Sequence, residues 1–138
     1  MQRKILVVDD EMYVTQLLAF ILRRVGDDVH VADDGEQALL AAAEINPDLI
    51  IADFQMPVVD GLEMCRRLKA NPATNDIPVL MLTARGHRMK PADAEGTNVR
   101  CVLAKPFSPR DLVNKVDDLI GRPGSQPAGK LGPDAAVA

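Results

Sequence analysis

The sequence predicts an α/β fold, a doubly wound five-stranded parallel sheet flanked by helices. Three observations carry this reading. Short apolar runs alternate five times with stretches whose apolar residues recur at three and four. Several runs are continuously apolar, as in strands buried on both faces, rather than alternating. Polar residues close the runs at their C-terminal ends, where open parallel sheets bind ligands.

The elements follow in order. Lys4-Ile5-Leu6-Val7-Val8 is the first strand, closed by Asp9 and Asp10. Val14, Leu17, Leu18, Ile21, Leu22 and Val25 form the inward stripe of a first helix that Gly26 stops. Val29 to Ala32 is a shorter second strand, and the alanine-rich stretch from Glu36 to Ile45 is a second helix with Ala38, Leu39 and Ala42 inward. Asn46-Pro47 ends it, because the residue before a proline disfavours helix. Leu49 to Ala52 is the third strand, ending in Asp53. Leu62, Cys65 and Leu68 mark a third helix, broken at Asn71-Pro72. Pro78 to Leu82 is the fourth strand, ending in Thr83, and Val99 to Ala104 the fifth, ending in Lys105. Between them, Gly86, Pro91 and Gly96 puncture the fourth helix, which is expected to be short, irregular or mobile. Ser108-Pro109-Arg110-Asp111 gives the last helix an N-cap, a first-turn proline and a first-turn acid. Leu112, Val113, Val116, Leu119 and Ile120 form its inward stripe. One domain is expected over residues 1–121, with 122–138 a disordered tail rich in Gly and Pro.

Bulk properties narrow the function. Apolar residues make up 47% of the 138 and charged residues 26%, as in a folded soluble protein. A net charge of −4 and a pI near 5.1 argue against nucleic acid or an anionic membrane as the main partner. The apolar run after Lys4 is too short for a signal peptide or a membrane span. Cys65 and Cys101, without CxxC spacing, read as buried hydrophobes in a reducing compartment, so a cytoplasmic location is expected.

Topology gathers the chemistry. Asp9, Asp10, Asp53, Thr83 and Lys105 all follow strands, so all five fall on one edge of the sheet, and nothing of comparable polarity is expected at the other. Singly, each acid reads as a turn residue or cap, Thr83 as a turn former and Lys105 as a solvated cation. Their coincidence on one edge is what independent turn residues do not produce. Two carboxylates about 4 Å apart repel by roughly 4 kcal/mol at an effective dielectric near 20, so such a cluster calls for a cation. An all-oxygen donor set favours a hard ion, and Mg²⁺ fits. His30 and His87 fall outside the strand ends. A carboxylate nucleophile, a metal, a hydroxyl and a lysine together make a phosphoryl-transfer site with Asp53 as acceptor.

These residues resemble a known family. Ile5-Leu6-Val7-Val8-Asp9-Asp10-Glu11, Asp53-Phe54-Gln55-Met56-Pro57-Val58-Val59-Asp60-Gly61, Thr83-Ala84 and Lys105-Pro106-Phe107-Ser108 are similar to the response-regulator receiver domain, a flavodoxin-like, CheY-like fold that also occurs as a stand-alone protein. The resemblance implies phosphorylation of Asp53 by a histidine kinase or phosphotransfer protein, and a domain that assists its own phosphorylation and dephosphorylation. It implies Asp10 as a direct Mg²⁺ ligand, Asp9 acting through water, Asp53 itself and the Gln55 backbone carbonyl as further ligands. Thr83 is then the switch hydroxyl, Lys105 the phosphate-binding cation and Gly61 a turn residue, and the Lys105-Pro106 peptide is cis. Gln55 and Arg85 stand where the family tunes acyl-phosphate lifetime. Implied partners are the phosphodonor and a downstream protein, met as a monomer or a weak phosphorylation-dependent dimer.

One departure is plain. Receivers commonly carry Tyr or Phe three residues before the lysine, and Val102 stands there, a stiff side chain with no ring to swing. Signalling through ordering of the loops after the third and fourth strands is the expectation that follows. Two alternatives compete: a phosphorylation-independent interaction module on the same fold, which Val102 favours, and an aspartate-nucleophile phosphatase. The phosphatase needs a general acid two residues after the nucleophile, where Gln55 stands.

Overall fold

The structure is a computed structural model and describes residues 2–84 and 90–121, Pro91 by its backbone alone. Five strands form one parallel sheet in the order β2-β1-β3-β4-β5: β1 Lys4–Val8, β2 Asp28–Ala32, β3 Leu49–Asp53, β4 Val79–Thr83 and β5 Val99–Ala104. The helices are α1 Met12–Arg24, α2 Gly35–Ile45, α3 Gly61–Ala70, α4 Pro91–Ala94 and α5 Pro109–Ile120. The predicted doubly wound architecture is the one observed.

Each sheet face has its own core. Leu6, Val8, Ile50, Ala52 and Met81 pack with Ala38, Ala42, Met64, Cys65 and Leu68 of α2 and α3. Ile5, Val7, Ile51, Leu80 and Leu82 pack with Leu18, Leu22, Leu112 and Val116 of α1 and α5. Because both faces are covered, β3 and β4 are buried at every position. Each buried aliphatic side chain of this size contributes roughly 1.5–3 kcal/mol relative to exposure, so these layers hold the strand ends in register.

Local chemistry sets the helix ends as the sequence implies. Asp34, Asp60 and Ser108 cap α2, α3 and α5 by accepting from the amides of Gln37, Glu63 and Asp111. Several expectations need correction. Leu17 is not inward but 51% exposed; with Tyr13 and Phe20 it lies on a second stripe spaced at four and three, turned away from the sheet. Pro91 does not puncture α4 but begins it, and α4 is a single turn. β2 starts one residue earlier than expected, at Asp28, whose carboxylate lies 3.3 Å from His30. Cys65 is buried but Cys101 only half-buried. Gly86, His87, Arg85 and the tail 122–138 lie outside the described residues.

The largest correction concerns the far edge of the sheet. Arg3, just before β1, is 6% exposed and grips Asp27 with two nitrogens, at 2.7 and 2.8 Å. A third nitrogen donates to Asp117 of α5 at 2.8 Å and to the Gly121 carbonyl. A buried ionic cluster therefore ties β1, the turn before β2 and the end of α5 together, opposite the expected site.

Val58, between β3 and α3, has φ +66 and is 95% exposed. The Val59 amide donates to the Pro57 carbonyl at 2.8 Å, closing a three-residue turn around it. A β-branched residue in left-handed backbone is strained by about 1–2 kcal/mol. Val58→Asn is expected to raise thermal stability by about 1 kcal/mol, read as an upward shift of the melting midpoint.

Candidate functional site

The sheet order brings β1, β3, β4 and β5 side by side, and their C-terminal ends deliver the predicted residues to one place. Val8 pairs with Ala52, so Asp9 and Asp53 leave adjacent strands at the same level. Carboxylate oxygens of Asp9, Asp10 and Asp53 lie within 4.8 Å of one another. Lys105 reaches in from the end of β5, its Nζ 3.3 Å from Asp9 and 3.6 Å from Asp53. Thr83 is buried at the end of β4, one position past Leu82, the register partner of Asp53, and its carbonyl accepts from the Lys105 amide at 2.8 Å. The Gln55 amide lies 3.4 Å from Asp53 Oδ1, which places the loop after β3 against the same carboxylate. The Lys105-Pro106 peptide is cis, as the resemblance implies.

The environments differ among the acids. Asp9 is buried, with one oxygen accepting from the Glu11 amide at 2.9 Å and the other from Lys105. Asp53 is also buried, whereas Asp10 is exposed. Burial holds the Asp9 carboxyl above its ordinary value, with Asp53 adding repulsion; the Glu11 amide and Lys105 pull the other way without cancelling it. Burial likewise raises Asp53, Asp10 adds to the rise, and Lys105 and the Gln55 amide only partly offset it.

A stability prediction follows from that sign. Near pH 3.8 and below, Asp53 and an Asp53→Asn side chain are both neutral, and the two metal-free proteins should melt together. As pH rises through the raised value, Asp53 takes on a charge that the fold disfavours, so the wild type loses stability relative to the variant. At neutral pH the asparagine variant should have the higher melting midpoint. Equal midpoints across the range would contradict the raised value.

The donor set fits a hard divalent cation. Three carboxylates face one lysine, leaving about two surplus negative charges in oxygen ligands, with no sulfur or imidazole in the cluster.

Comparison with known proteins shows the family of the chain. The family described as response regulator receiver domain matches residues 5–117. This chain belongs to that family. It is therefore a receiver domain of two-component signal transduction, a signalling domain whose family works with histidine kinases or phosphotransfer proteins. The DNA-binding response regulator MtrA of Mycobacterium tuberculosis is 35% identical over 131 residues, covering 95% of this chain and 56% of its own length. The transcriptional regulatory protein ResD of Bacillus subtilis is 38% identical over 121 residues, covering 88% and 49%. The chain thus spans about half the length of the curated relatives it matches.

Among solved structures, a putative response regulator from Chloroflexus aurantiacus superposes with TM-score 0.78 at 36% identity, covering 85% of this chain and 96% of that one. The chemotaxis protein CheY4 of Vibrio cholerae superposes with TM-score 0.77 at 29% identity, covering 85% and 98%. The receiver domain of sensor histidine kinase PA1611 from Pseudomonas aeruginosa gives 0.76 at 27% identity, covering 85% and 96%, and carries a magnesium ion in its active-site cleft. The match favours neither the phosphatase nor the phosphorylation-independent module. Among the described residues, no helix is long and apolar enough to cross a membrane.

Residue 102 keeps its departure. In β5 the residues alternate between half-buried and exposed, and Val102 is 41% exposed. Reading β5 as one more apolar run hid that alternation. One close contact near the site, between Gly35 and Val59, was missed; a glycine directly after the N-cap Asp34, where helix formers do better, was the available signal.

Proposed function

We propose that Asp53 accepts a phosphoryl group from the phosphohistidine of a histidine kinase or phosphotransfer protein, in a reaction that needs Mg²⁺. The observation that carries this is the buried Asp53 carboxylate, with an oxygen within 4.8 Å of carboxylate oxygens of Asp9 and Asp10 and 3.6 Å from the Lys105 Nζ. An Asp53 oxygen attacks phosphorus in line, the P–N bond to the imidazole breaks, and the donor nitrogen leaves with the electron pair. Lys105 pairs with one phosphoryl oxygen and the Thr83 hydroxyl donates to another. Asp10 and Asp53, the Gln55 carbonyl and, through water, Asp9 would hold the ion, which supplies positive charge to the phosphoryl oxygens. The magnesium-bearing receiver of PA1611 supports that assignment by analogy.

These groups come from the domain itself, so it assists both gain and loss of the phosphoryl group. The message passes on through a protein partner, by way of the loops after β3 and β4, because Val102 has no ring to move. Gln55 and Arg85 stand at the sequence positions where the family tunes acyl-phosphate lifetime, and we assign them that role. We assign the receiver domain to residues 1–121. The domain acts in the cytoplasm, as a monomer or a weak phosphorylation-dependent dimer. Its acidic balance disfavours nucleic acid as a direct partner of this part, whatever the longer relatives bind.

Incubation with Mg²⁺ and a small phosphodonor such as acetyl phosphate, followed by intact mass measurement, is the test. One phosphoryl adduct is expected, absent with a chelator and absent in Asp53→Asn. An adduct of equal yield in that variant would refute the assignment.

A further inference from the structure

The loop between β3 and α3 carries Gln55 past Asp53, and its path is fixed by contacts that the site residues do not supply. Met56 and Val59 are 8% and 2% exposed and sit in the core beneath α2 and α3. The Gly61 amide donates to the Phe54 carbonyl at 3.1 Å, closing the loop at its far end. On its other side the loop presses against the start of α2. A Cβ built on Gly35 would lie 2.7 Å from the Val59 carbonyl oxygen, 2.7 Å from its Cγ1 and 2.8 Å from its Cβ. Real Cβ atoms do not approach neighbours so closely. The start of α2 is itself firm, because Asp34 caps it through the Gln37 amide at 2.8 Å. Held between that abutment and Gly61, the chain makes the strained turn at Val58.

We infer that Gly35 is a positioning residue for the acidic pocket, acting through Val59. By admitting the Val59 carbonyl and side chain, it sets where the loop holds Gln55 beside Asp53. The inference rests on the phosphoryl-accepting reading of that pocket and extends it to a residue on a different element. Alanine at position 35 retains the helix, since alanine is the better helix former. It cannot retain the loop, and displacement of the loop moves the Gln55 backbone relative to the carboxylates. Displacements of about 1 Å at a phosphoryl-transfer site cost up to about 100-fold in rate.

The test compares Gly35→Ala with Val116→Ala, a buried core substitution on α5 across the sheet from this loop. Mg²⁺ affinity is measured by titration of the unphosphorylated proteins, amide chemical shifts of residues 54–60 are recorded without metal, and phosphorylation by acetyl phosphate is timed. Gly35→Ala should shift the loop amides, weaken Mg²⁺ binding several-fold and slow phosphorylation by about 10-fold or more. Val116→Ala should lower the melting midpoint while leaving Mg²⁺ affinity as it was. Equal Mg²⁺ affinity in Gly35→Ala and wild type, or an equal loss in Val116→Ala, overturns the inference. If Gly35→Ala does not fold, Val59→Ala keeps the glycine but removes the wedge, and it should weaken Mg²⁺ binding in the same direction; unchanged affinity there overturns the inference as well. Failure of the wild type to take up a phosphoryl group would instead refute the underlying reading.

Discussion

Arg3→Met should lower the stability of this domain by about 3–5 kcal/mol, the usual loss when one member of a buried ion pair is removed. The Asp27 side chain is fully buried and accepts two of its hydrogen bonds from Arg3. Methionine fills much of the space but leaves that carboxylate charged and unpaired in a low-dielectric setting. It also frees Asp117 and the Gly121 carbonyl, which Arg3 holds at the end of α5. Against a typical total of about 5–15 kcal/mol, the loss is roughly a fifth or more of what the domain has. Lysine should rescue only part, because a single ammonium cannot reproduce the forked contact. Replacing both partners, as in Arg3→Met with Asp27→Leu, should recover most of the loss, since the penalty lies in the orphaned charge rather than in the missing pair. Denaturant unfolding checks all three variants. A midpoint for Arg3→Met within error of the wild type would show that the ionic cluster contributes nothing net.

Lys105→Ala should slow phosphorylation of Asp53 by a small phosphodonor by about 100-fold or more, the scale seen when one charge-stabilising donor is removed from a reacting site. The same substitution should bind Mg²⁺ as well as the wild type or better. Lys105 is the cation now placed 3.3 Å from Asp9 and 3.6 Å from Asp53, so its removal leaves more uncompensated negative charge for a metal to meet. The opposed signs separate two roles. If Lys105 merely held the acids in place, its loss would weaken metal binding and slow transfer together. Isothermal titration with Mg²⁺, beside a phosphorylation time course, distinguishes these outcomes.

The site was legible because topology does the gathering. Asp9, Asp53, Thr83 and Lys105 each terminate or follow a strand, so a correct sequence of strands was enough to bring them to one edge. Arg3 could not be read the same way. Its partners lie 24 and 114 residues away, and no local pattern distinguishes a buried arginine before a strand from a solvated one. Leu17 was misplaced because two stripes at helical spacing share α1, and periodicity alone does not say which faces the sheet. Gly35 went unnoticed for a different reason: its constraint is the absence of a side chain, visible only when Val59 is seen against it. Val58 shows the same limit, since nothing in Pro57-Val58-Val59 announces a left-handed backbone.

The central claim is that Asp53, among three neighbouring carboxylates, is the one that becomes an acyl phosphate. Borohydride reduces an aspartyl phosphate to homoserine, which marks the acceptor in the chain. After treatment with Mg²⁺ and acetyl phosphate, reduction and peptide mapping should find homoserine at position 53, and at neither position 9 nor position 10. Homoserine at either of those positions, or none anywhere in the chain, would contradict the account.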